Sequence, residues 1–151
     1  MKNLNTYIHE KLTIVHKSYS CAPESKEELK EILKERLKQD PNADLNDIDV
    51  SNITNMSRLF DGLDPHNIDI SQWDVSNVED MSYMFAGRKK FNSDLSAWDV
   101  SNVKYMNCMF YGCKNFNSDI SAWNISNIKY MSNMFDHCDS LKEIPKWYIE
   151  N

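Results

Sequence analysis

The residues with the most chemical potential in this sequence are carboxylates set at a fixed interval. Asp44, Asp69, Asp94 and Asp119 recur every 25 residues, Glu143 follows after 24, and a neighbouring column adds Asp49, Asp74 and Asp99. Paired carboxylates do general acid and base work when a cleft drives their pKa values apart. A regular row repeats one environment instead, so its members serve as hydrogen-bond acceptors or as a field of charge. Rows one strand spacing apart, roughly 4.8 Å, repel by about 1 kcal/mol per pair in water and by more near a protein surface. Two accounts offset that cost. Either the carboxylates accept bonds from backbone amides, Ser and Asn of adjacent turns, or they form an acidic face that meets a basic partner. A carboxylate has acceptor sites enough for both.

Other chemistry finds little support. Cys21, Cys108, Cys113 and Cys138 lack the spacing of a zinc site, and His9, His16, His66 and His137 are scattered. There is no G-x-S-x-G, phosphate loop or H-E-x-x-H, and each of the three glycines is already used by a repeat. The reading is therefore a chain without catalytic residues, cofactor or metal. Contact residues are sought instead in columns that change between repeats: Arg58, Tyr83, Cys108 and Asn133; Asn55, Asp80, Tyr105 and Tyr130; and the Arg88-Lys89-Lys90 patch. Among these, Tyr83, Tyr105 and Tyr130 are of the type that anchors interfaces.

The elements that must position these residues follow from self-comparison. Asp49-Val50-Ser51-Asn52-Ile53 returns as Asp74-Val75-Ser76-Asn77-Val78, Asp99-Val100-Ser101-Asn102-Val103 and Asn124-Ile125-Ser126-Asn127-Ile128. Met56, Met81, Met106 and Met131 form one further column, Phe60, Phe85, Phe110 and Phe135 another, and Trp73, Trp98 and Trp123 a third. A fixed period in the twenties signals stacked repeats with these columns as core. Val78, Met81, Met84 and Phe85 lie on one helical face, with Ser76 or Asn77 as the cap and Gly87 as the stop, which predicts a short helix in each unit. Ser93 to Val100 reads as a strand with Leu95, Trp98 and Val100 inward and Asp94, Ser96 and Ala97 outward. The fold class expected is α/β: a right-handed leucine-rich-repeat solenoid with short parallel strands and short helices.

Both ends look adapted. Ser25 with Glu28 forms a capping box, and Leu29, Ile32, Leu33 and Leu37 make one stripe on a helix from about Ser25 to Lys38, which predicts an N-terminal helical cap. Residues 1–43 form the cap region and 44–151 the repeats, starting at 49, 74, 99 and 124, all in one structural domain. At the far end, Glu143-Ile144-Pro145-Lys146-Trp147 repeats the strand motif. Its proline and lysine discourage edge pairing, which reads as a natural terminus.

The unit from Phe91 to Val103, followed by Met106 and Met109-Phe110, closely resembles the BspA-like leucine-rich-repeat family of bacterial surface and mycoplasma-type lipoproteins and phage-associated proteins. The resemblance covers residues 44–151 and implies a right-handed solenoid with a binding or adhesion role. Unlike the surface members, this chain shows no apolar leader: Lys11, His16 and Lys17 interrupt its first twenty residues. It is read as cytoplasmic, with reduced thiols.

Net charge is −6. Residues 41–151 hold 16 acidic and 9 basic side chains, whereas residues 1–40 are nearly balanced. That argues against direct nucleic-acid binding and for a protein partner with a basic surface, with no membrane association. The function expected is a non-catalytic protein–protein interaction module, an intracellular effector or inhibitor of the kind a phage or mobile element encodes. Its binding residues would be Asp44, Asp69, Asp94, Asp119, Asp49, Asp74, Asp99, Tyr83, Tyr105 and Tyr130. An acidic nucleic-acid mimic that blocks a nucleic-acid-binding protein and a surface adhesin are the alternatives.

Overall fold

A computed structural model describes residues 18–149. The first part of the expected cap region, with His9, His16 and most of the segment read for a leader, lies outside the described residues. Among the described residues one helix forms, α1 (Lys26–Gln39). Ser25 caps it by accepting the Glu28 amide at 3.2 Å, while the Glu28 carboxylate reaches back to the Glu24 amide at 2.9 Å, one residue earlier than a strict capping box. Leu29 and Leu33 are wholly buried and Leu37 nearly so, which makes α1 a lid on the first repeat. Two polar contacts set its position. Arg36 donates both fork nitrogens to Asp47, at 3.1 and 3.0 Å, and also to the Asp44 carbonyl, and Lys26 donates to the Ser57 carbonyl at 3.3 Å.

The repeats do not adopt the expected α/β form. Beyond α1 the described chain is a succession of turns and irregular backbone. Pairing between units is reduced to isolated parallel bridges, Asp44 with Asp69 and the series Asn55, Asp80, Tyr105 and Tyr130. No sheet forms among the described residues, and no helix follows Ser76 or Asn77, so the right-handed leucine-rich-repeat solenoid of strands and helices is not the fold.

The reason lies in where the amides point. A helix over Val78–Phe85 would direct each N–H to the carbonyl four residues back. Alternate amides leave the repeat instead. Met56, Arg58 and Phe60 donate to the carbonyls of Asp80, Ser82 and Met84, at 2.8, 3.0 and 3.2 Å, and Met81, Tyr83 and Phe85 do the same to Tyr105, Asn107 and Met109. Intervening amides close four-residue turns, as Leu59 does on Met56 and Asp61 on Arg58. Turning alternate amides outward requires a left-handed residue in each unit. Arg58, Tyr83, Cys108 and Asn133 all take φ between 53° and 58°. The side chain in this column changes from unit to unit while the backbone does not. A left-handed non-glycine costs about 1–2 kcal/mol, which the cross-repeat bonds offset.

The expected strand fails for a related reason. Trp98 N–H closes on the Leu95 carbonyl at 3.1 Å and Val103 N–H on Val100 at 3.0 Å, with equivalents in the other units, so two successive turns replace extended chain. The assignment of faces survives because a turn and a short strand can bury the same residues. Leu95, Trp98 and Val100 are at most 4 % exposed, whereas Asp94, Ser96 and Ala97 are exposed.

Aromatic columns fill the interior. Phe60, Phe85, Phe110 and Phe135 stack at centroid distances of 4.9, 5.8 and 5.9 Å, and Phe91 and Phe116 intercalate beside them at 3.9 and 4.0 Å. Each tryptophan hooks the unit before its own: Trp73, Trp98, Trp123 and Trp147 donate Nε1–H to the carbonyls of Leu45, Ile70, Leu95 and Ile120 at 2.9–3.1 Å. The next polar column does likewise. Arg88, Cys113 and Cys138 donate to the carbonyls of Phe60, Phe85 and Phe110, which places Arg88 in the scaffold rather than in a free basic patch.

Trp98→Phe keeps the stacking and removes one of the two donors to the Ile70 carbonyl, leaving it the Trp73 amide at 3.1 Å. The substitution should lower stability by about 0.5–1.5 kcal/mol and Tm by a few degrees, on the order of 3 °C, read by thermal unfolding. Gly62 and Gly112 hold φ of 79° and 70°; an added Cβ meets nothing within 4 Å at Gly62 and only the Gly87 backbone, Cα at 3.6 Å and N at 3.8 Å, at Gly112. Gly62→Ala and Gly112→Ala should therefore each cost about 1–2 kcal/mol, and by similar amounts, in urea denaturation, because backbone conformation and not space is limiting.

Candidate functional site

The carboxylate columns sit at the start of turns. In each, Oδ1 accepts the amide of the residue two positions on: Asp44 from Asn46, Asp49 from Ser51, Asp69 from Ser71, Asp74 from Ser76, Asp94 from Ser96, Asp99 from Ser101 and Asp119 from Ser121, all at 2.9–3.1 Å. In most of them the serine Oγ–H donates to the same oxygen, at 2.6 Å for Asp74, Asp94 and Asp99 and 2.7 Å for Asp49 and Asp69. The compensation anticipated for a ladder of like charges is thus present, but it comes from the same turn and not the adjacent one. Such Asx turns are local chemistry, available wherever Asp precedes Ser by two residues.

Electrostatics follows this geometry. The Ser96 hydroxyl and amide hold the Asp94 carboxyl below its ordinary value, against the opposing push of burial and of neighbouring Asp69. Ser101 does the same for Asp99 and Ser121 for Asp119. Repulsion along the column therefore loses to the turn, and these acids are ionised throughout the neutral range. Among the described residues, the second oxygen of Asp94, Asp99 and Asp119 meets no donor, and none of the three is paired with a basic side chain. An open concavity of about 420 Å³ lies between Asp94 and Asp119, floored by Ser93 and Ser118 and flanked by Asn92 and Asn117.

The asparagine of each Asp-Val-Ser-Asn motif does a second job. Asn77, Asn102 and Asn127 donate Nδ2–H to the carbonyls of Ser51, Ser76 and Ser101, at 2.9, 2.6 and 2.6 Å, tying every unit to its predecessor. Neither Ser76 nor Asn77 caps a helix. The asparagines therefore hold the units in register, while the carboxylates close turns within their own unit.

The tyrosines separate into two places. Tyr105 and Tyr130 stack face to face at 5.8 Å and 6°, with Tyr130 58 % exposed. Tyr83 lies in the left-handed column, 37 % exposed, with the Arg58 guanidinium 4.2 Å from its ring centroid. The residues missing from the sequence reading are Arg36 and Asp47, whose bidentate pair fixes α1. Spacing gave no sign of it, because the two lie on elements of different type.

Cys21, Cys108, Cys113 and Cys138 are free thiols. Burial pushes the Cys113 thiol far up and that of Cys138 up to about 11, so these two act as packing groups and carbonyl donors rather than nucleophiles. Among the described residues no three His, Cys, Asp or Glu side chains gather as metal ligands, and no helix is long and apolar enough to cross a membrane.

Depressed carboxylate pKa values in the folded state mean that the Asx-turn bonds stabilise fully above the ordinary carboxyl value of 3.8 and are lost as pH falls below it through the folded values. Urea midpoints measured from pH 6 downward should stay level to about pH 4 and then drop. The variant D94N/D99N/D119N should show a shallower drop, since an amide oxygen keeps the turn without titrating.

One family comparison succeeds. Residues 27–147 match the family described as "Mycoplasma protein of unknown function, DUF285". No curated protein and no solved structure matches the chain. The match spans α1 from its second residue and the four repeats as far as residue 147, so the tryptophan, asparagine and Asx-turn columns lie within it, and it does not establish a leucine-rich-repeat family. The chain belongs to this Mycoplasma family, DUF285.

Proposed function

We propose that the chain is a non-catalytic protein-binding module, an effector or inhibitor that engages a basic protein surface through its carboxylate columns. The observation that carries this reading is the division of labour at Asp94, Asp99 and Asp119. One oxygen of each closes a turn, the group is held ionised, and the other oxygen faces outward without a donor among the described residues. A partner's Lys or Arg side chains gain charge-assisted bonds to carboxylates whose positions are already set, which reduces the ordering cost of association. Tyr105 and Tyr130 add a stacked, partly exposed aromatic surface that suits the same kind of partner. The concavity between Asp94 and Asp119 is open and built from short polar side chains, a form that favours surface recognition over enclosure of a small substrate.

The test uses a substitution that the chain itself already tolerates. Asn124 closes its turn through Oδ1 on the Ser126 amide at 3.1 Å, and Asn55 does so on Ser57 at 2.9 Å. D69N/D94N/D119N should therefore fold with little loss of stability while removing three charges. Partner capture by the immobilised wild-type chain from a lysate of its source cells should weaken at least about tenfold between roughly 50 and 500 mM salt, and equally in the triple variant at low salt. Undiminished capture by the folded triple variant would exclude the column of Asp69, Asp94 and Asp119 as the binding surface, and the same result with D74N/D99N added would exclude both columns.

A further inference from the structure

The concavity between Asp94 and Asp119 owes its depth to two small floor residues. Ser93 and Ser118 stand in the column where the preceding unit has Ile68, which is 2 % exposed. Each serine forgoes the apolar burial that Ile68 gains, and hydrogen bonds take its place. Ser93 Oγ–H donates to the Ile68 carbonyl at 2.6 Å, and Ser118 Oγ accepts the Leu95 amide at 3.2 Å. The floor is thus polar and tied to the backbone, with an open volume of about 420 Å³ above it.

Two kinds of group line the sides of that space. Asn92 and Asn117 spend Oδ1 on the backbone amides of Asn117 and Lys142, at 3.0 and 3.1 Å, and their Nδ2–H groups find no acceptor among the described residues. Asp94 and Asp119 spend Oδ1 on the amides of Ser96 and Ser121, each at 3.0 Å, and keep the second oxygen open. Each unit therefore offers a carboxamide donor and a carboxylate acceptor two residues apart, both oriented by a bond made through their other atom. That pairing discriminates between ligands. A lysine or arginine side chain has donors alone and leaves both carboxamides unmatched, whereas a phosphate or carboxylate has acceptors alone and is repelled by two ionised aspartates. A hydroxyl donates and accepts at one atom, and the vicinal hydroxyls of a sugar ring answer both members of the pair together.

We propose that this groove binds an uncharged oligosaccharide, whose hydroxyls donate to Asp94 and Asp119 and accept from Asn92 and Asn117. The site requires no basic partner, because it uses the two aspartates as positioned acceptors rather than as charges alone. Its open form suits a chain of sugar rings lying along the stack, each ring presenting hydroxyls to whichever unit it crosses.

The probes are cellotetraose, maltotetraose and chitotetraose, each titrated to about 10 mM into the full chain labelled for heteronuclear NMR. At least one should shift the side-chain NH2 signals of Asn92 and Asn117 and the backbone amides of Ser96 and Ser121, which report on the aspartates. Its affinity should hold constant between roughly 50 and 500 mM salt, a range over which capture of a basic partner falls. N92D/N117D keeps Oδ1 for both backbone amides and removes only the donors; D94N/D119N keeps the turns, as Asn124 does, and puts donors in place of the acceptors. Each variant should retain the wild-type spectrum away from the groove and bind about tenfold more weakly, read on the Ser96 and Ser121 amides. No shift with any of the three sugars, a response that survives N92D/N117D, or one that salt abolishes each overturns the proposal, and none of these outcomes bears on capture of a basic protein partner.

Discussion

Everything in this molecule depends on the alternate backbone amides that each repeat gives to the next. A buried N–H without a partner costs on the order of 1–3 kcal/mol, and a 25-residue unit with little regular structure of its own has many such groups to satisfy. Sending alternate amides across the repeat boundary satisfies them and, in the same step, fixes the separation and register of neighbouring units. The left-handed residue in each unit is the local cost of that solution. It is tolerated at Arg58, Tyr83 and Cys108 because the bond it permits is part of a cooperative array rather than an isolated contact.

Side chains reinforce the same connections. Trp98 Nε1, Asn102 Nδ2 and Cys113 Sγ each reach a carbonyl of the preceding unit, so every repeat is tied to its neighbour through both backbone and side chain. The carboxylates, by contrast, act within their own unit. Local closure of the turn by Asp94 or Asp119 means that the surface columns are set by near neighbours, and their charge stays available for something outside the chain. Acidic regularity is therefore first a consequence of repeating a turn, and only then a surface a partner can use.

The two ends show how a periodic structure acquires direction. Because donors point toward the later repeat in one column and toward the earlier repeat in another, the faces of a unit are not interchangeable. Covering the first face takes apolar area plus a donor, which α1 provides through Leu29, Leu33 and Lys26. At the last repeat, residues 141–149 provide aromatic cover through Trp147 and Tyr148.

The period, the columns and the inward or outward sense of nearly every residue in them are legible without coordinates, because burial of Leu95, Trp98, Val100 and Met106 is written in composition at fixed spacing. So is α1, whose stripe and cap are local. What the repeats are made of depends on contacts between units. Val78, Met81, Met84 and Phe85 have helical spacing, yet the amides of Met81 and Phe85 bond to carbonyls 24 residues on while those of Val78 and Met84 close local turns, and no window of local periodicity registers such distant partners. For the same reason Asp-Val-Ser-Asn reads equally well as a helix start and as a turn. It becomes a turn because Asn102 finds the Ser76 carbonyl in the unit beneath it, a contact that exists only once the units are stacked.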